Sequence, residues 1–355
     1  MKKLLYLVLL SFFCLAVKAE DTGAYRVLIL GDVHYDRADL HKDPDYGKNN
    51  KSHGRNLKMW KKATPELLTL AGKCADAEHP VFVVQLGDII QGGAGTRELR
   101  LRMLKDGHAA VKAYFPKTPL LLVRGNHDVH KSDRRGSDPV DMLARPPVVD
   151  ELGVESYENG CFAIRRGRDL FIAVNGFIPA DQVVTFVRKS LEANADARFV
   201  FFMTHLPLLP VSINQPFWLV PGHLEIAELL EKRPSLIFAA HTHIPSIAER
   251  ITERGHLTQI VVSSMGNTWH PRGIVAARIA SWEDFVKSSR SRRKSGSRYN
   301  PLRWPEEEIR GKFVFRQLFR NSGFVMLKVD DSGYAVEYCI GDGHRIPLAS
   351  HSVAK

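Results

Sequence analysis

Pro119-Leu120-Leu121-Leu122-Val123-Arg124-Gly125-Asn126-His127-Asp128 is an apolar run that stops abruptly at small and polar residues. A short apolar run of this kind reads as a buried strand. Three of the residues that stop it, Asn126, His127 and Asp128, have side chains able to bind a metal or to handle a proton. The same layout occurs twice upstream. Residues 25 to 31 lead into Asp32-Val33-His34, and residues 81 to 87 lead into Asp88. Between these runs, Leu57, Trp60, Leu67, Leu68 and Ala71 recur at helical spacing around Pro65, and Thr96 to Phe115 reads as a further helix. Strand, helix, strand, helix, strand is the pattern of βαβ units with a parallel sheet, and such sheets place their sites at the carboxyl ends of the strands.

The rest of the chain adds two more strand ends of this type. Residues 129 to 158 contain Pro139, Pro146 and Pro147 and read as a long loop beside the site. A hairpin about Gly167 and a helix over Ala180 to Ala193 follow. Arg198 to His205 is a strand ending in histidine. Residues 206 to 222 are proline-rich loop, Leu224 to Glu231 is helical, and Leu236 to His241 is again a strand ending in histidine, with His243 two residues on. Gln259 to Ser264 and Gly273 to Ile279 read as strands. Residues 281 to 322 read as an insertion, and Phe324 to Val329 with Tyr334 to Cys339 as a closing hairpin.

Five strand ends therefore carry Asp32 and His34, Asp88, Asn126 to Asp128, His205, and His241 and His243. Mixed nitrogen and oxygen donors without thiolate suit first-row metals such as Mn, Fe or Zn. Asp32, His34, Asp88, Asn126, His205, His241 and His243 are too many for one tetrahedral ion and suit two ions sharing a carboxylate.

In order and type, D-x-H, GD, GNHD, a lone His and A-H-x-H, these blocks resemble the calcineurin-like metallophosphoesterase superfamily. The resemblance runs from Asp32 to His243. Two departures stand out: Ala240 replaces the Gly of G-H-x-H, which a negative φ would permit, and Gln91 stands where the purple acid phosphatase branch carries a metal-binding Tyr. The resemblance implies a four-layer α/β/β/α sandwich in one domain over about residues 22–345. It implies that Asp32, His34 and His243 hold one ion, that Asn126, His205 and His241 hold a second, and that Asp88 bridges them. It further implies a metal-bridging hydroxide as nucleophile, His127 as the acid that protonates the leaving oxygen, and Asp128 as the group that orients His127. The implied activity is hydrolysis of a phosphoric monoester or diester. A nuclease of the same superfamily and a non-catalytic protein stabilised by the metals are the alternatives.

Composition bounds this reading. The chain has 355 residues, 44% apolar and 25% charged, ordinary for a globular protein. Met1-Lys2-Lys3, an uncharged apolar run to Val17, and Lys18-Ala19 read as a secretory signal peptide over residues 1–19, too short to span a bilayer. The expectation is a secreted or periplasmic chain without a membrane span after cleavage. The net charge of +11 favours small anionic, phosphorylated substrates, nucleotides among them. Much of the excess lies in residues 287–298, read as a solvated loop; nucleic acid is the less favoured partner because no aromatic residue interleaves with these cations. Cys74, Cys161 and Cys339 allow at most one disulfide.

Overall fold

The computed structural model describes residues 23–41, 51–94, 96–129, 152, 154–210, 219–266, 278–280, 313–317 and 322–353. Two sheets lie face to face with helices outside each. The first has six strands in the order β15-β14-β13-β1-β2-β3, namely Arg345–Ser352, Gly333–Ile340, Gly323–Asp330, Tyr25–Leu30, Phe82–Gln85 and Leu120–Leu122. The second has nine, in the order β11-β12-β9-β10-β8-β7-β6-β5-β4: Arg278–Ala280, Phe313–Gln317, Ser246–Thr252, Gly255–Val261, Ser235–Ala239, Val200–Thr204, Asp169–Val174, Cys161–Arg166 and Val154–Glu158. Helices α1 (Lys51–Lys61), α2 (Ala63–Glu78) and α3 (Arg97–Lys112) belong to the first half, α4 (Ala180–Ala193) and α5 (His223–Leu230) to the second.

Alternation along the strands builds the layers. Val27 and Ile29 of β1 pack between the sheets against Phe171, Phe201 and Phe238. Leu28 and Leu30 point the other way, onto Leu67, Leu68 and Ala71 of α2 and Met103 and Leu104 of α3. In the second sheet Ile172, Phe202 and Ile237 face Val183, Val187 and Leu191 of α4 and Ile226 and Leu230 of α5. Strands buried on both faces read as continuous apolar runs rather than as alternating ones, which is why these strands stand out in the sequence. The result is the α/β/β/α sandwich.

Local chemistry fixes the helix ends. Pro65 lies in the first turn of α2, where its missing N–H is not needed, so the break falls at Lys62 between two helices. Thr96 caps α3, its hydroxyl accepting from Leu99 N at 3.2 Å.

The architecture departs from the sequence reading at four strands. β4 lies inside the segment read as loop, and β9 has no counterpart in that reading. β12 lies inside the segment read as an insertion, yet it pairs antiparallel with β9. β15 continues the first sheet beyond residue 345, antiparallel to β14. β15 is largely exposed, so it lacks the apolar run by which a central strand announces itself. Residues 1–19, the basic run 287–298 and most of the segment read as an insertion fall outside the described residues. Among the described residues no helix is long and apolar enough to cross a membrane, and Cys74, Cys161 and Cys339 are not joined in a disulfide.

One polar tie joins the sheets at the amino ends of β1 and β6. Tyr25 Oη donates to Asp169 Oδ2 at 2.7 Å, and Arg198 grips the same carboxylate through Nε at 3.0 Å and Nη2 at 2.8 Å. Arg198 Nη1 also donates to Asp330 O at 2.7 Å. Burial and the adjacent Asp169 charge raise the Tyr25 pKa, so the phenol stays a donor. Tyr25→Phe is expected to cost about 2 kcal/mol, the size of a hydrogen bond to a buried charge. Denaturant unfolding would measure it, and metal content would be unchanged.

Candidate metal centre

β1, β2 and β3 are parallel neighbours in one sheet, and β7 and β8 in the other. Their carboxyl ends meet, and every predicted ligand sits just past one of them. The turns are stitched to each other through the backbone. Val33 N and His34 N both donate to Asp88 O, at 3.0 and 2.9 Å, and Ala240 N donates to His205 O at 3.0 Å. Gly125 brings the β2 and β3 turns so close that a Cβ there would collide with the Asp88 backbone N and Oδ1.

The donors converge in two halves. On one side His34 Nε2 lies 3.0 Å from His243 Nε2, and His243 Nε2 lies 3.4 Å from Asp32 Oδ1. On the other, His205 Nε2 lies 3.0 Å from Asn126 Oδ1 and 3.2 Å from His241 Nδ1. Asp88 stands between them, with Oδ2 at 3.9 Å from His34 Nε2 and 3.4 Å from His205 Nε2. Among the described residues, Asp32-His34-His243, His34-Asp88-His127 and Asp88-His205-His241 each bring three donor atoms within 4.8 Å.

This arrangement fits cations. Two imidazole nitrogens facing each other at about 3 Å repel unless a proton or a cation lies between their lone pairs. Asp32 Oδ1 is buried and has no hydrogen-bond partner. An orphaned carboxylate oxygen in such a place is costly unless a positive charge meets it. The protonation pattern agrees. Burial, then His243, lowers the His34 pKa to about 3. Burial, then His205, lowers His241 to about 3 as well, which leaves both rings neutral with lone pairs available. Burial opposes ionisation of Asp32 and Asp88, but the surrounding histidines hold both pKa values below the usual range. His205 is the exception. Burial would lower its pKa, but Asp88 and Asp32 raise it to about 9, so a cation entering there takes the place of a proton. Apparent metal affinity is therefore expected to fall as pH drops below about 9, and a metal titration with a chelating indicator across pH checks this.

The backbone is strained around the donors. His34 (φ 51°), Asp88 (φ 55°), His241 (φ 70°) and His243 (φ 59°) are four of the six non-glycine residues with positive φ among those described. Each left-handed residue costs about 1–2 kcal/mol, and such strain gathers at functional sites. Ala240 is not among them. The left-handed position falls one residue later, so the side chain that replaces the expected Gly carries no such strain.

His127 lies beside the donors, its ring perpendicular to that of His34 with centroids 4.9 Å apart. Asp128 does not orient it, contrary to expectation. The Asp128 carboxylate accepts three backbone N–H groups instead: Asp88 N at 2.7 Å, Gly125 N at 2.8 Å and Ile90 N at 3.2 Å. Residues 126 to 128 form a turn, which folds the carboxylate back onto the start of its own loop. Burial and the Asp88 charge push its pKa up to about 7, against those donors. The His127 ring is held by the Gln91 carbonyl, 2.5 Å from Nδ1. A carbonyl only accepts, so Nδ1 carries a hydrogen and Nε2 is the nitrogen left for chemistry. In the same way the Leu86 carbonyl, 2.9 Å from His205 Nδ1, turns His205 Nε2 to the donor cluster. Sequence reasoning missed both partners because a backbone carbonyl leaves no mark in residue type.

Other candidates recede. Arg124 is buried beside the turn, and His223 is buried at the start of α5 with Nδ1 3.2 Å from Val220 O. The side chains of His53 and Arg97, and residue 130, lie outside the described residues.

Comparison with known proteins agrees with this geometry. The chain superposes on a dimetal phosphatase from Danio rerio with a TM-score of 0.55 at 13% identity, covering 92% of this chain and 98% of that one. It superposes on PhoD with a TM-score of 0.51 at 10% identity, covering 92% of this chain and 68% of that one. At such identities the likeness is one of fold. No curated protein matches in sequence. The calcineurin-like phosphoesterase profile matches residues 25–245, from the first strand to just beyond the last clustered histidine. A match over more than half the chain, across every one of those strand ends, makes this protein a member of the calcineurin-like phosphoesterase family, and so a hydrolase of phosphoric esters.

Proposed function

We propose that the protein is an exported phosphoester hydrolase working with two metal ions. Asp32, His34 and His243 would hold one ion, Asn126, His205 and His241 the other, with Asp88 shared. The observation that carries this reading is the position of Asp88, whose Oδ2 is 3.9 Å from a histidine of one half and 3.4 Å from a histidine of the other. Nitrogen and oxygen donors suit Mn, Fe or Zn.

When bound, the two ions supply a water of lowered pKa as the attacking oxygen and positive charge for the phosphoryl oxygens. The chain supplies the rest. Asp88 Oδ1 accepts from His127 N at 2.7 Å, so the carboxylate shared by both halves also fixes the backbone of the proton donor. The His127 imidazolium keeps its Nδ1 hydrogen on the Gln91 carbonyl and delivers the Nε2 hydrogen to the leaving oxygen, ending as the neutral ring. The substrate is a small phosphorylated compound, drawn in by the positive net charge; nucleotides fit that class. Export rests on the charge and hydropathy pattern of residues 1–19.

The test is a panel of phosphoric monoesters and diesters, nucleotides included, assayed with protein loaded with Mn, Fe, Zn or Co. Expected are about two metals per chain, hydrolysis of at least one ester class, and loss of activity on chelation that added metal restores. Metal-filled protein inert on every ester would overturn the enzyme reading in favour of a metal-stabilised binding protein.

A further inference from the structure

The seat of His127 is the segment Gln91–Gly93. Gln91 O takes the ring hydrogen, and Gly92, at φ 67°, approaches the His127 carbonyl so closely that a Cβ would collide with it. Among the described residues, few backbone bonds hold this segment. The parallel bridge to the β1 turn ends at Tyr35 and Ile90, followed by one bond from Gln91 N to Tyr35 O at 2.8 Å. Two side-chain groups from elsewhere hold it down. Asn56 of α1 donates Nδ2 to Oε1 of the buried Gln91 side chain. His41 places Nδ1 3.1 Å from Gly93 O and Nε2 2.6 Å from Asp36 Oδ1, and both residues of that pair are buried. Each ring nitrogen of His41 is thus engaged within the protein, so the pair acts on Gly93 rather than on a substrate. Helix α1 is itself fastened to the site, because Trp60, one turn after Asn56, donates Nε1 to His34 O at 2.9 Å.

We infer that Asn56, acting through Gln91 and seconded by the Asp36–His41 pair, is a positioning residue that sets where His127 presents Nε2. The inference rests on the reading of His127 as the proton donor. Nothing in the chemistry of the ligands requires Asn56, which lies on a helix outside every strand end. Its effect should fall on the proton-transfer step and leave the metal donors as they are.

The test compares wild type, Asn56→Ala, Gln91→Ala and the double variant, with His127→Ala in parallel. Substrates are the 4-nitrophenyl and alkyl esters of whichever ester class the panel selects. A 4-nitrophenolate leaves without a proton, whereas an alkoxide needs one. Asn56→Ala is expected to lower kcat on the alkyl ester about tenfold or more, with little change on the 4-nitrophenyl ester or in KM. Gln91→Ala should match it, and the double variant should lose no more than either alone, as two halves of one contact do. The second readout is independent of turnover: nitrogen-15 spectra of histidine-labelled, zinc-loaded protein. The His127 Nδ1–H signal should be sharp in wild type and broadened or shifted in Asn56→Ala.

Equal slowing on both esters, or an unchanged His127 signal, would overturn the inference. If His127→Ala itself shows no dependence on the leaving group, the acid reading fails, and the histidine spectrum alone decides whether Asn56 positions the ring. Should Asn56→Ala fail to fold, Gln91→Ala breaks the same contact from the other side and decides the question by the same two readouts.

Discussion

Asp88→Asn is expected to leave a folded protein that has lost metal from both halves of the centre and whose rate has fallen by at least on the order of 10²–10³-fold. Asparagine is the informative choice at this position. The residue has φ 55°, a conformation that Asn tolerates better than most side chains, so the turn survives. The amide oxygen can still accept from His127 N, as Asp88 Oδ1 does at 2.7 Å. What disappears is one negative charge placed between His34 and His205. That charge keeps His205 basic and, in the proposed centre, neutralises part of two cations at once. Asp32 also favours the charged form of His205, but its Oδ1 meets that ring at Nδ1, 3.9 Å away, the nitrogen held by the Leu86 carbonyl, and its Oδ2 is occupied by His241 N at 3.1 Å. Metal content and kcat are measured on the same preparation, with thermal unfolding as the control for fold. Asp88→Ala should additionally lose about 1–2 kcal/mol, because alanine is strained in the left-handed region. Two metals per chain and a near-normal rate in Asp88→Asn would remove Asp88 from the shared position.

The expectation about metal donors could be read from sequence for a physical reason. The parallel strands are buried on both faces, so each is an unbroken apolar run, and each run ends at one level of the sandwich. A polar residue that follows such a run therefore has its height in the fold fixed by the pattern alone. Asp32, Asp88, Asn126, His205 and His241 are all placed in this way. The edge strands have no such signal. Gly333–Ile340 and Arg345–Ser352 sit side by side in the first sheet, yet the first is largely buried and the second largely exposed. Only the first is visible as a strand. Ring orientation was also beyond reach. It is set by the carbonyls of Leu86 and Gln91, which any residue could provide, and the residue next in sequence to His127 looked like its natural partner.

Asp128→Ala separates those two accounts, because its expected damage is to the fold and not to proton transfer. The carboxylate is 1% exposed and accepts from Asp88 N, Gly125 N and Ile90 N. Removing it strands three buried backbone donors, each costing about 1–3 kcal/mol when unmet. A combined loss of about 4 kcal/mol is a large share of the roughly 5–15 kcal/mol that holds a domain together. The same bonds join the turn after β2 to the turn after β3, so Asp88 and Asn126 should lose their mutual register and the metal content should fall with stability. Asp128→Asn is the finer probe. Its amide oxygen can serve Asp88 N and Gly125 N together, as Oδ2 does, which leaves its amide nitrogen against Ile90 N–H. One poor contact instead of three predicts a loss of about 1–2 kcal/mol. In that variant the His127 Nδ1–H signal and the ratio of alkyl to 4-nitrophenyl turnover should match wild type, since Gln91 O and not Asp128 takes the ring hydrogen. A stable, metal-filled Asp128→Asn that is slow only on alkyl esters would return Asp128 to the role of orienting His127.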